Sequence, residues 1–215
     1  MSRVFRQIIG GLYAITPDEA DTAELLRKVR LALRGGTRVV QYRNKASAAE
    51  LRLKQAEALR ELTRELGAKL IVNDDAALAK QVDADGVHLG GEDGSVAAVR
   101  KLLGSRKIIG VSCYNRLELA HEAVHQGADY VAFGSFFSST VKPDAVAATP
   151  DLLRQARREL KVPIVAIGGI TVQNGAQLLD AGADALAVIS AVFSAPDVEG
   201  AAREFSNLFE QGKSA

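Results

Sequence analysis

Eight short apolar runs recur along the chain, and helical spacing fills most of the stretches between them. The runs are LYAIT (12–16), RVVQYR (38–43), KLIVND (69–74), GVHLG (86–90), KIIGVS (107–112), YVAFGS (130–135), PIVAIGG (163–169) and LAVIS (186–190). Near-continuous apolar runs are typical of parallel strands that are buried on both faces. The intervening stretches, such as AELLRKVRLALRGG and PDLLRQARREL, have apolar residues at three-and-four spacing and charged residues on the other face. The alternation therefore predicts an α/β fold.

The number of strand–helix units favours a single (β/α)8 TIM barrel over residues 1–215, with frayed ends near 1–10 and 211–215. A doubly wound open sheet is the alternative, but the first run has no GxGxxG fingerprint. Glycines at 67, 127 and 182 are predicted to close helices with a positive φ. The segments DADGV, GADYV and GADAL each fall at a helix-to-strand corner, which indicates repeated turn chemistry.

Composition excludes several classes of function. The 27 basic and 26 acidic residues give a net charge of +1, which does not indicate a nucleic-acid or membrane-surface partner. Cys113 is the only cysteine, so no intrachain disulfide can form, and we expect it to be a small buried apolar residue. No apolar run approaches the roughly 20 residues of a membrane span, and no signal peptide is recognisable. We expect a cytoplasmic protein.

Polar groups follow seven of the eight predicted strands. They are Gln41, Arg43 and Lys45 (strand 2), Asn73, Asp74 and Asp75 (strand 3), His88, Glu92 and Asp93 (strand 4), Ser112 (strand 5), Ser139, Thr140 and Lys142 (strand 6), Gly168 and Gly169 (strand 7), and Ile189 and Ser190 (strand 8). In a (β/α)8 barrel the carboxyl ends of the strands form one rim, where active sites lie. The sequence therefore predicts one polar mouth.

The rim predicts two anion sites. Arg43, Lys45 and Lys142, with Asn73 as a neutral donor, suit a diphosphate. Carboxylates at Asp74 and Asp93 suggest Mg²⁺, which one or two carboxylates, waters and substrate phosphates typically hold. The AIGGIT and AVIS segments offer glycines and helix N-termini, a recurrent monophosphate site in this fold. Such a rim favours a reaction that joins two phosphorylated molecules, one of which releases diphosphate.

Structural interpretations stand beside the functional ones. Arg43 could form an ion pair with a carboxylate that serves only the fold. Asp75 is predicted as the N-cap of the helix AALAKQV. Apart from its place on the rim, His88 is typical of a histidine that is hydrogen-bonded within a protein core.

Taken in order and spacing, the motifs QYRNK, NDD, GVHLGGED, GVS, SSTVKPD, AIGGIT and AVIS resemble the thiamine phosphate synthase family over residues 11 to 192. The resemblance implies a transferase of thiamine biosynthesis on a TIM barrel. Such an enzyme condenses 4-amino-5-hydroxymethyl-2-methylpyrimidine diphosphate with 4-methyl-5-(2-phosphoethyl)thiazole, giving thiamine phosphate and diphosphate by a dissociative substitution. It implies Mg²⁺ as cofactor and two small molecules as partners, and it leaves a homodimer open.

The resemblance also implies a role for each matching residue. Arg43, Lys45, Asn73 and Lys142 would hold the diphosphate, and Asp74 and Asp93 would bind Mg²⁺. The pyrimidine pocket would include Gln41 and His88, while Ser112 would contact the pyrimidine or the leaving diphosphate. Ser139 and Thr140 would supply hydroxyl contacts, and Gly169, Ile189 and Ser190 would take the thiazole phosphate. The catalytic set is Arg43, Lys45, Ser112 and Lys142.

Three positions depart from the family pattern. Val141 stands where the pattern T-x-T-K has its second threonine, Tyr114 where a histidine is usual, and Gly91 where glutamine is frequent. Rival interpretations are a thiazole tautomerase, a sugar-phosphate isomerase or aldolase on the same fold, and a ligand-binding regulator. The tautomerase branch places a histidine at the position of Tyr114. The isomerase or aldolase would need an acid/base pair or a Schiff-base lysine at a strand end.

Overall fold

Eight parallel strands close into one barrel in chain order, which confirms the predicted TIM barrel and excludes the open sheet. The structure is a computed structural model that describes residues 9–91, 94–138 and 147–211. The strands are β1 (Gly11–Ile15), β2 (Val39–Tyr42), β3 (Lys69–Asn73), β4 (Gly86–Leu89), β5 (Ile108–Tyr114), β6 (Tyr130–Phe133), β7 (Ile164–Ile167) and β8 (Ala185–Val188). Pairing of β1 with β8 closes the ring.

Helices cover the outer face of the barrel. Those within the described residues are α1 (Thr22–Arg34), α2 (Ala49–Glu65), α3 (Ala76–Gln81), α4 (Val96–Leu103), α5 (Leu117–His125), α6 (Pro150–Glu159), α7 (Val172–Asp180), α8 (Ser190–Phe193) and α9 (Val198–Gln211). None of these helices is both long and apolar enough to cross a membrane. The predicted frayed ends fall largely at residues 1–8 and 212–215, outside the described part of the chain.

Several local predictions are confirmed. The three glycines at 67, 127 and 182 have φ values of 69°, 98° and 111° and follow helices, as a C′ position requires. Asp75 caps α3, since its side chain accepts a hydrogen bond from the Leu78 N–H. Cys113 is a free, fully buried thiol. Burial raises the pKa of Cys113 to about 12, so this thiol stays protonated at neutral pH.

The apolar core has two parts, which follow from the alternation of side chains along each strand. The larger part lies between the strands and the helices. The smaller part fills the barrel and includes Tyr13, Val39, Ile71, Tyr130 and Val165. Residues two positions further along these strands therefore point into the barrel nearer to its mouth.

The three repeated corners share one interaction. Each aspartate accepts a hydrogen bond from a backbone N–H of the preceding strand and pairs with an arginine of the helix before that strand. The sets are Asp85 with Leu70 and Arg60, Asp129 with Ile109 and Arg100, and Asp184 with Ile164 and Arg157. The repeat is thus a clamp at the amino ends of β4, β6 and β8, the face of the barrel away from the predicted site.

Asp129→Ala is expected to lower the free energy of unfolding by roughly 2–4 kcal/mol, because it removes the carboxylate that pairs with the Arg100 guanidinium and leaves the Ile109 N–H unpaired. Urea unfolding at pH 7, followed by circular dichroism, measures the change. Asp151→Ala, on the exposed face of α6, should change stability by less than about 0.5 kcal/mol. Equal urea midpoints for Asp129→Ala and Asp151→Ala would contradict the claim that the clamp stabilises the fold.

Candidate functional site

A cavity of about 670 Å³ opens at the carboxyl ends of the strands. Its lining includes predicted site residues from β2 to β5 and from the segments after β7 and β8. They are Gln41, Arg43, Asn73, His88, Ser112, Gly169, Ile189 and Ser190. The fold therefore brings eight separately predicted residues to one space.

A second pocket of about 280 Å³ adjoins this cavity, and Asn73 lines both. Lys45 and Asp74 lie in the second pocket, where the Lys45 Nζ is 2.8 Å from the Asp74 Oδ2. Arg52 of α2 also lines it, although no motif in the sequence indicated this residue. Of the cations predicted for one anion, the two that the structure describes, Arg43 and Lys45, thus line adjoining spaces.

Asp74 is held in a backbone conformation that is uncommon for a residue with a side chain. Its φ is 63°, and its N–H donates to the carbonyl of His88 on the neighbouring strand, at 2.8 Å. A left-handed residue directly after a strand turns the chain, which brings this carboxylate beside Lys45 at the rim.

The donor set around Asp74 fits Mg²⁺ in the form that phosphate-binding enzymes use. Among the residues that the structure describes, no group of three or more His, Cys, Asp or Glu side chains could enclose a metal. Mg²⁺ needs no such enclosure, because one or two carboxylates with waters and substrate phosphates suffice. Asp74 supplies one carboxylate, and the second predicted ligand, Asp93, lies outside the described residues.

Ser139, Thr140 and Lys142 also lie outside the described residues, but the chain on either side of them is placed. Ser138 lines the cavity. Beyond the gap, the N–H of Ala148 donates to the carbonyl of Ser135, at 2.8 Å. Ser138 and Ala148, described residues on either side of segment 139–146, therefore lie in or next to the cavity lining.

Arg43 has partners that sequence reasoning missed. Its backbone N–H donates to Thr16 Oγ1, whose hydroxyl donates to the Arg43 carbonyl, both at 2.9 Å. Its guanidinium lies 3.4 Å from Asp18, which also accepts the Lys45 N–H at 2.7 Å. The sequence signal for these partners was the segment TPDE directly after β1, which contains Thr16 and Asp18. The ion pair interpretation and the rim position of Arg43 therefore both hold.

A chain of hydrogen bonds crosses the barrel and forms part of the cavity lining. Gln41 Nε2 donates to the Tyr13 hydroxyl at 2.9 Å, and the two hydroxyls of Tyr13 and Tyr130 are 2.8 Å apart. His88 Nδ1 lies 2.9 Å from the Tyr130 hydroxyl, and His88 Nε2 lies 2.9 Å from Ser112 Oγ. We call these five residues the polar chain. The two tyrosines were not predicted, although their parity with Ile15 and Ala132 marks them as interior.

The members of the polar chain that can ionise are uncharged at neutral pH. Burial lowers the pKa of His88 to about 4, and the nearby Asp74 carboxylate opposes this only in part. Burial also raises the pKa of both tyrosines well above the usual value. His88 is consequently a weak base, so its contact with Ser112 does not activate a serine nucleophile.

The glycines after β7 serve the packing of the neighbouring segment. Gly168 and Gly169 have φ values of 104° and 61°. A Cβ atom on Gly168 would lie 1.9 Å from Ser135 Oγ, and one on Gly169 would lie 2.4 Å from the carbonyl of Ser138. The sequence predicted close approach of a ligand here, and the structure shows that the chain after β6 makes that approach.

Two helices begin beside this part of the cavity. Thr171 and Asn174 form a capping box at the start of α7, and α8 begins at Ser190. The first N–H groups of a helix have no partner within the helix and attract anions. The surroundings of Gly169, Ile189 and Ser190 are therefore suited to a phosphate.

Two departures from the family pattern are in contact with each other. The Gly91 N–H donates to the Tyr114 hydroxyl at 3.3 Å, and a Cβ atom at Gly91 would lie 3.1 Å from that oxygen. A larger side chain at position 91 would therefore crowd this tyrosine. The two departures are therefore coupled by a direct contact.

Comparisons with known proteins agree on one family. The family model described as "Thiamine monophosphate synthase" matches residues 12–192. A protein of Nitrosospira multiformis named thiamine-phosphate synthase is 52% identical over 206 residues, covering 96% of this chain and 88% of its own length. One of Methylobacillus flagellatus with the same name is 54% identical, covering 94% of this chain and 96% of its own.

The fold comparison gives the same result. The solved structure of a thiamine phosphate pyrophosphorylase from Pyrococcus furiosus superimposes with a TM-score of 0.85 at 37% identity. It covers 97% of this chain and 98% of its own. The likeness therefore extends over nearly the whole of both chains.

Proposed function

Because the chain belongs to the thiamine monophosphate synthase family and is accordingly a transferase, we propose that it condenses 4-amino-5-hydroxymethyl-2-methylpyrimidine diphosphate with 4-methyl-5-(2-phosphoethyl)thiazole. The products are thiamine phosphate and diphosphate. One observation carries this assignment: a cavity that Arg43 lines, with an adjoining pocket that holds Lys45 and Asp74, connects a cationic part of the rim to a second part that suits a phosphate. The proposal includes a cytoplasmic location.

The diphosphate binds in this proposal beside β2 and β3. Arg43 and Asn73 reach it from the main cavity, and Lys45 reaches it from the adjoining pocket. Asp74, with Asp93, would hold Mg²⁺, which would supply positive charge beside the diphosphate. Lys142, Ser139 and Thr140 complete the site from the segment after β6. Lys45 is then shared between Asp74 and the substrate.

The pyrimidine occupies the centre of the mouth. Gln41 and His88 are buried there and bond to Tyr13 and Tyr130 within the polar chain, so their positions are fixed before substrate binds. Ser112 lies above His88 and contacts the pyrimidine or its diphosphate. The thiazole phosphate binds at Gly169, Ile189 and Ser190, on the segments after β7 and β8.

The reaction in this account is a dissociative substitution. The bond between the pyrimidine methylene carbon and the diphosphate oxygen breaks, and its electron pair leaves with the diphosphate. Arg43 and Lys45 stabilise the charge that develops on the leaving oxygen. The thiazole nitrogen then donates its lone pair to the methylene carbon, and no net proton transfer is needed. The apolar wall of the cavity, with Ile15, Val165 and Ile167, limits water that would capture the cation.

Mixing the purified protein with both substrates and Mg²⁺ tests this proposal. We expect thiamine phosphate and diphosphate in equal amounts, and loss of both when EDTA removes the metal. Product that is unaffected by EDTA would contradict the metal site. Isomerisation of a thiazole precursor without coupling would place the chain with the tautomerases.

A further inference from the structure

The polar chain (Gln41, Tyr13, Tyr130, His88 and Ser112) contains two buried tyrosines that line the cavity. Among the described residues, their hydroxyls bond to other members of the chain and not to residues of either predicted anion site. Tyr13 is 1% exposed and Tyr130 is fully buried, and their rings meet edge to face with centroids 6.1 Å apart. Tyr130 also stacks on His88 at 5.6 Å. Hydroxyl groups at this depth require hydrogen-bond partners, and each finds its partners within the chain.

The hydrogen bonds of the polar chain can run in only two directions. Each hydroxyl has one hydrogen to donate, and an imidazole that accepts at one ring nitrogen donates from the other, so a direction set at one end continues along the whole chain. If the amide nitrogen of Gln41 faces Tyr13, then Tyr13 donates to Tyr130, and Tyr130 donates to His88 Nδ1. If the amide oxygen faces Tyr13, every bond reverses.

The structure has the amide nitrogen of Gln41 facing Tyr13. His88 then carries its hydrogen on Nε2 and donates it to Ser112 Oγ. The hydroxyl hydrogen of Ser112 is left to donate into the cavity. Gln41 presents its carbonyl oxygen and its second N–H to the same space. The direction of bonds deep in the barrel thus determines what the cavity offers to a ligand.

We propose that Tyr13 and Tyr130 are positioning residues that couple the orientation of the Gln41 amide to the tautomer of His88, so that Gln41 and Ser112 together present a donor–acceptor pattern complementary to an aminopyrimidine. An aminopyrimidine edge has an amino group that donates and ring nitrogens that accept. Gln41 in this orientation offers one acceptor and one donor to that edge, whereas the reversed amide would offer two donors. The inference rests on the proposed function and concerns how its pyrimidine is recognised.

Tyr130→Phe interrupts the polar chain at its centre and keeps the ring. We expect kcat/KM for the pyrimidine diphosphate to fall by about 10- to 100-fold, with KM for the thiazole phosphate unchanged within about twofold. Tyr13→Phe should likewise lower kcat/KM for the pyrimidine diphosphate and leave KM for the thiazole phosphate nearly unchanged. The double variant should lose little more of this kcat/KM than either single variant, because both tyrosines act through one chain. If one variant fails to fold, the other still tests the inference.

Thr63→Val is the matched control, since it removes a buried hydroxyl that bonds only to the Arg60 carbonyl outside the barrel. This variant should lower the stability of the protein but should not impair use of the pyrimidine diphosphate more than use of the thiazole phosphate. Equal loss toward both substrates in the tyrosine variants would show a merely structural role and would overturn the inference.

Nitrogen-15 NMR of the imidazoles gives a test that needs no substrate. The sequence has 3 histidines, so His121→Gln and His125→Gln assign the His88 signals. We expect the Nε2–H tautomer at neutral pH, and loss of that single tautomer in Tyr130→Phe. An Nδ1–H tautomer in the unchanged protein would overturn the inference. Failure of the coupling reaction with the Nε2–H tautomer present would instead count against the proposed function.

Discussion

Asp74→Asn is expected to lower kcat of the coupling reaction by about 100- to 1000-fold and to raise the Mg²⁺ concentration needed for half-maximal rate. The carboxylate at this position is paired with Lys45 and lies beside the predicted diphosphate site. An amide keeps the size of the side chain but removes its charge, so it binds Mg²⁺ weakly. Steady-state rates over a range of Mg²⁺ concentrations measure both effects.

Asp75→Asn is the control for this prediction. It makes the same chemical change at the next residue, and asparagine caps a helix about as well as aspartate. The Asp75 side chain caps α3 at Leu78, so the helix should be preserved and the Mg²⁺ response should stay normal. Near-normal rates for Asp74→Asn at low Mg²⁺ would remove Asp74 from the metal site.

Arg43→Ala is expected to reduce kcat/KM for the pyrimidine diphosphate by about 100- to 1000-fold, while KM for the thiazole phosphate changes little. The guanidinium lines the main cavity and Thr16 fixes its backbone, so its loss removes a positioned charge from the leaving group. Initial rates with each substrate varied in turn give the two constants. Arg27→Ala, on the exposed face of α1, is the control and should match the unchanged protein.

Ser190→Ala is expected to impair binding of the thiazole phosphate and to spare the pyrimidine diphosphate. It should raise KM for the thiazole phosphate by about 10-fold and leave kcat/KM for the pyrimidine diphosphate nearly unchanged. If Arg43→Ala and Ser190→Ala impaired both substrates equally, the division of the cavity into two anion sites would be wrong.

The strand ends show what sequence reasoning predicted well. Gln41 and Arg43 share a parity in a β-rich run, and this parity directs both to the barrel mouth, as the structure shows. Ser112 and Ser190 were found in the same way, from the rule that the carboxyl ends of parallel strands form one rim. This information is local to each strand, so it can be predicted without the fold.

Other features depend on contacts between distant residues. Tyr13 and Tyr130 are 117 positions apart, and nothing in either strand shows that their hydroxyls meet. The placement of Lys45 in the adjoining pocket depends on the turn at Asp74, whose φ of 63° is not expected for an aspartate after a strand. Contacts across the barrel and unusual backbone angles are set by the closed fold.

The corners at Asp85, Asp129 and Asp184 lie between these cases. The sequence repeat indicated shared turn chemistry, and the glycine at position 182 confirms part of it. The arginine partners lie 25 to 29 residues earlier in the chain, in helices that give no signal of the pairing. The repeat could therefore be recognised, but its interactions could not.

A crystal structure with thiamine phosphate, diphosphate and Mg²⁺ bound tests the central claim most directly. The account predicts the pyrimidine against Gln41 and Ser112, the phosphate of thiamine phosphate at Gly169 and Ser190, and the diphosphate beside Arg43 and Lys45 with Mg²⁺ on Asp74. Both anions bound beside the segments after β7 and β8, with Arg43 and Asp74 free of ligand, would contradict it.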